Sequence, residues 1–192
     1  MDNGEIINQS IANVDEFFHD VAHLLNNIKN ELEKKYKCEN MRNNAITIDN
    51  SSSIQYPEKW MPWVLYFSLK TKDRNDYIIV SVPLRDNEND FTTFDKIYLT
   101  IGKYRNIKMP SEAWWYNKSF LFENWVNDFR KVIDENYMTI DPAILTSENS
   151  VYAKERFDYA VIYKEDIFKW TGKINERLKE VIDHIDREMS GN

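Results

Sequence analysis

His19-Asp-Val-Ala-His23 is the stretch of the chain that comes nearest to metal chemistry. Two histidines four residues apart share one face of a helix, the spacing by which H-E-x-x-H holds zinc with its glutamate as general base. Here Asp20 stands in place of the glutamate and shortens the reach of any base, and no downstream residue is marked as a third ligand. The apolar stripe of the same helix runs along the other side, so both histidines are expected at the solvated surface. No metal ligand and no cofactor is assigned, and a metal-dependent hydrolase using this H-D-x-x-H helix is kept as a chemical alternative.

The other patterns are weaker. Asp86, Glu88 and Asp90 alternate like the first ligands of an EF-hand loop, but Phe91 takes the place of the turn glycine and Ile97 that of the bidentate glutamate. Cys38 is the single cysteine and follows Lys34, Lys35 and Lys37, whose charge would lower a thiol pKa, but no histidine is near it in sequence. His23-Leu-Leu-Asn-Asn27 resembles, over five residues, the phosphoacceptor box of sensor histidine kinases. Leu24 stands where an acidic residue usually follows the histidine, and the glycine-containing ATP boxes of that family are missing from the sequence.

Composition removes whole classes. The four glycines, Gly4, Gly102, Gly172 and Gly191, cannot supply a G-x-G-x-x-G or a P-loop. A net charge of −7 argues against a broad phosphate-binding surface, since nucleic-acid affinity comes largely from clustered Lys and Arg. A single cysteine fits a reducing compartment, the acidic start does not read as a signal peptide, and no run is apolar for long enough to span a bilayer. A cytoplasmic, soluble protein is the expectation.

The elements that would carry a site are clearer than the chemistry. Trp63–Lys70, Tyr77–Arg85 and Phe94–Ile101, running on to Tyr104, alternate apolar and polar residues as strands do when one face is buried. Leu65, Phe67, Leu69, Val80, Leu99 and Ile101 belong to the apolar face. Tyr66, Lys70, Tyr77, Tyr98 and Tyr104 fall on the opposite one, which suits a partner or a stacked ligand because tyrosine joins a broad apolar ring to a polar tip. Trp114 and Trp115 extend this aromatic set.

Ile11, Val14, Phe18, Val21, Leu25, Ile28 and Leu32 recur three and four apart and predict a long amphipathic helix over residues 10–36. It either packs on the sheet or pairs as a coiled coil in a homodimer. A middle helix is expected over 122–136, a further strand over 157–163, and a C-terminal helix along Ile174, Leu178, Val181, Ile185 and Met189. The expected fold is α+β: one domain over 1–192, with an antiparallel meander of four to five strands and three helices packed on it. The function expected of it is that of a non-enzymatic interaction protein that binds a protein partner, one of basic surface, through the aromatic sheet face. The alternative is a sensor or reader with an aromatic pocket for a small molecule or nucleobase.

Overall fold

The computed structural model describes residues 3–38, 46–49, 64–72, 76–84, 96–108, 130–141, 157–170 and 172–191. Within these the fold is α+β. Strands β1 (Thr47–Asp49), β2 (Val64–Lys70), β3 (Asp76–Pro83), β4 (Tyr98–Arg105), β5 (Arg130–Val132), β6 (Tyr137–Ile140) and β7 (Tyr159–Asp166) make one sheet in the order β1-β2-β3-β4-β7-β6-β5. Every neighbouring pair is antiparallel. Five of the strands have four residues or more, and the two edge strands have three each. Two meanders, β1 to β4 and β5 to β7, therefore meet where β4 pairs with β7.

Pro83 is the last residue of β3, an interior strand, and ends it because proline cannot donate to a ladder. The register sets Leu65 opposite Val82, Phe67 opposite Val80 and Val80 opposite Ile101, so the expected apolar face is continuous across β2, β3 and β4. On it lie α1 (Asn3–Tyr36) and α2 (Ile174–Ser190). Val21, Leu25, Ile28 and Leu32 from the first, with Leu178, Val181, Ile182 and Ile185 from the second, close one core with that face.

One expectation is corrected. Among the described residues there are two α-helices, not three: Arg130–Val132 is strand, and residues 133–136 turn back into β6. Asp134 Oδ1 accepts from the backbone N–H of Asn136 at 2.7 Å and of Tyr137 at 2.9 Å, a local side-chain turn that competes with helix. The apolar spacing around Val132 and Ile133 fits a helix and an edge strand alike, and the Asp-Glu-Asn turn decides between them. Residues 122–129 lie outside the described residues.

The C-terminal helix starts at Ile174, where its apolar stripe begins. Gly172 adopts φ +82, so Ile167–Trp170 forms a separate 3₁₀ turn and α2 begins only at Ile174. At the other helix, α1 closes with Lys37 in the left-handed region, φ 45.

Candidate functional site

The face opposite the helices is a second core. Val64, Ile79, Tyr104, Met138, Ile140 and Ile162 belong to a buried cluster, with Tyr66 and Tyr77 packed partly buried against it. Tyr104 is 0% exposed and meets Phe157 edge-on at 5.3 Å, so it holds the interior together and presents no binding surface. Between β3 and β4, Ser81 and Thr100 satisfy each other at 2.6 Å in the same buried layer. Tyr98 is half-buried, with Lys164 Nζ 5.6 Å from its ring centre, and half-buried Lys70 pairs with Tyr77 across β2 and β3. Trp114, Trp115 and the acidic loop Asp86–Asp90 lie outside the described residues.

His19 and His23 are exposed on α1, and their Nε2 atoms approach to 2.9 Å. At that separation one ring nitrogen donates a hydrogen bond and the other accepts it. Among the described residues no group of three His, Cys, Asp or Glu side chains is arranged to hold a metal ion. The lysines beside it in sequence do not lower the Cys38 thiol. Burial, and then the charge of Glu33, push it up to about 11, beyond what nearby Lys29 and Lys72 offset.

The strongest electrostatics serve the fold. Lys103, from β4, donates to Asp186 Oδ1 at 2.7 Å and lies 3.8 Å from Asp76 Oδ2. The Tyr36 hydroxyl sits 2.8 Å from both Asp186 oxygens, and Lys35 donates to Asp183 at 2.7 Å, so the end of α1 is tied to α2. Burial raises the Asp186 carboxyl, but hydrogen bonds from Lys103 and Tyr36 outweigh it and hold the group below the usual carboxylate range. Burial, reinforced by the Asp186 charge, drives the Tyr36 phenol well above its ordinary value.

A second knot links β7 to α2. Arg177 grips Glu165 through both Nε, at 2.6 Å from Oε2, and Nη2, while the Tyr163 hydroxyl donates to Glu165 Oε2 at 2.5 Å. Burial again works against the Glu165 carboxylate, and its bonds to Arg177 and Tyr163 prevail and keep it below its normal range.

Among the described residues, the first half of α1 offers an exposed apolar surface to a partner. Residues 4–16 are all exposed, and Ile7, Ile11 and Val14 stand 58%, 63% and 45% exposed. These three continue, at spacings of four and three, into Phe18, Val21, Leu25, Ile28 and Leu32, of which the last four are buried. One apolar seam thus starts in solvent and ends in the core. Where it reaches the body of the protein, Phe17, Val21 and Leu24 wall a cleft of about 340 Å³ against Ile167, Phe168 and Trp170 of the 3₁₀ turn. Phe168 is 64% exposed, whereas Trp170 is 0% exposed and its Nε1 has no acceptor among the described residues.

Sequence reasoning found Ile11 and Val14 as part of a stripe but not the Ile7 start, although the three-four spacing runs back to it. It missed the cleft, which depends on the break at Gly172. Although α1 is long, no helix among the described residues is apolar enough to cross a membrane. Comparison of the chain with protein-family models, with curated proteins and with solved structures returns no match.

Proposed function

We propose that this is a non-enzymatic interaction protein, and that its partner, another protein, docks along the exposed half of α1. The observation that carries this is the seam: Ile7, Ile11 and Val14 follow the same period as the buried Val21, Leu25 and Ile28 and are left uncovered. Single apolar residues at a surface are ordinary, but an aligned set that extends a core stripe is the form of a helix-docking site. Three such side chains offer roughly 5–9 kcal/mol of gross burial, taking about 1.5–3 each, before the costs of association. The phenolic sheet face does not supply this surface at Tyr104, and Tyr66 and Tyr77 are engaged with its cluster.

A photocrosslinking amino acid placed at position 11 in cells tests the reading. Its expected product is an adduct with a different polypeptide, identified by mass spectrometry, which is lost when Ile7→Ser and Val14→Ser are added. The same group at Glu16, on the polar side of the helix, should give little. Equal adducts from positions 11 and 16, or none from either, would sink it.

A further inference from the structure

We infer that the occupant of the exposed seam is an amphipathic helix with Lys or Arg along its flanks, and that it seats one large apolar side chain in the cleft between α1 and the 3₁₀ turn. This rests on the docking role of α1 proposed above and says what kind of partner fits it. The shape follows from the period: a strip with three-four spacing is complemented by ridges of the same spacing, which another helix presents.

The sign of the partner follows from charge. Residues 1–28 contain Asp2, Glu5, Asp15, Glu16 and Asp20, with His19 and His23 but no Lys or Arg; the first of those is Lys29. Asp15 directly follows Val14 of the seam, and Asp20 lines the cleft. A second copy of the chain would bring Asp15 and no Lys or Arg beside the seam, where like charges at short range oppose pairing. Its contact would also be small. From Ile7 to Phe18 the seam runs about 17 Å on a helix about 10 Å wide, so two such halves cover a few hundred Å², short of the roughly 1,200 Å² of a stable interface. A basic helix gains attraction where a second copy meets repulsion, and the cleft gives it a deeper hold.

The cleft fits an anchoring residue. Its volume of about 340 Å³ lies at the small end of ligand-sized pockets. Phe17, Val21, Leu24 and Ile167 make its walls apolar, and Val21 belongs to both seam and cleft, so a helix following the one arrives at the other. Large apolar anchors in such pockets carry most of the binding energy of helix-in-groove complexes.

Fluorescence anisotropy on the full-length protein tests this with three labelled peptides of about 15–18 residues, long enough for helix in complex. One places Leu at three-four spacing with Lys elsewhere, the second replaces every Lys by Glu, and the third keeps the Lys composition with Leu at alternate positions. The Lys helix is expected to bind at least about tenfold more tightly than the other two, with an affinity that falls as salt rises. Ile11→Ser with Val14→Ser should weaken it about tenfold or more, and Phe168→Ser, at the exposed rim of the cleft, several-fold. Equal binding of the Glu peptide overturns the basic flank. Indifference to Phe168→Ser overturns the anchor, and indifference to the seam changes shows adherence to charge alone and overturns the whole inference. Light scattering at twice the chain mass would assign the seam to a second copy instead. Each of these results leaves the crosslink from position 11 to a foreign polypeptide standing or falling by itself.

Discussion

The two halves of α1 share one pattern and have opposite fates. Val21, Leu25, Ile28 and Leu32 are buried against the sheet and α2, while Ile7, Ile11 and Val14, on the same stripe, face solvent. Composition does not separate them, since both halves are Ile, Leu and Val at three-four spacing. What separates them is reach: the helix is about 50 Å long at 1.5 Å per residue, and among the described residues the sheet and α2 cover its second half. The difference teaches that a hydrophobic period states a demand for a neighbour and is silent on whether that neighbour belongs to the same chain.

Amide exchange gives the largest contrast and the easiest way to break this comparison. Protection over residues 21–32 should approach the global unfolding limit, whereas residues 4–16 should exchange through local fraying, a gap of several kcal/mol in opening free energy. Equal protection of the two halves in the isolated protein would mean that the first half is covered after all. Truncation sharpens the same point. Leu25→Ala, at a site 0% exposed, should cost about 2–5 kcal/mol in urea unfolding, and Ile11→Ala should stay within about 0.5 kcal/mol of the parent.

Acid should loosen only the buried half. Because the Asp186 carboxyl is held below its unfolded value of about 3.9, its contribution is fully present above about pH 4 and drains away as pH falls through the folded value. Asp186→Asn is expected to lower stability at pH 7 by about 1 kcal/mol, a modest figure because the side chain is partly exposed, and to flatten the acid limb of the stability curve. An unchanged acid limb would show that the Lys103–Asp186–Tyr36 knot does not fasten α1 to α2. A local effect concerns the cleft. Gly172→Ala should cost about 1 kcal/mol through its positive φ alone, since an added Cβ meets nothing within 4 Å. A larger loss would reveal a steric constraint at the pivot between the 3₁₀ turn and α2.

The strands of the first meander were legible because period two and burial agree there. Leu65, Phe67, Leu69, Val80, Leu99 and Ile101 all lie in the core that alternation assigns them to. The other face was misjudged at Tyr104 because tyrosine suits a buried strand as well as an exposed one, and its parity names a face without naming what lies over it. The middle helix failed at Arg130–Val132 because a three-residue edge strand is too short to show a period of its own. Glu165 with Arg177, and Lys103 with Asp186, could not be read at all. Lys103 and Asp186 stand 83 residues apart, Glu165 and Arg177 face each other only because the turn after β7 folds the last helix back, and a chain with 32 acidic and 25 basic residues offers too many partners to choose between.

The tie between Tyr36 and Asp186 spans 150 residues, so the helical layer is stitched from two helices far apart in sequence. At about 5–20 residues per second, translation leaves Leu25 and Ile28 without their α2 neighbours for on the order of ten seconds after they are made. A nascent chain of this protein therefore holds the buried half of α1 without its α2 cover while the residues between the two helices are made. Its folding rate should be governed by that late, distant closure rather than by the quick local pairing of its hairpins.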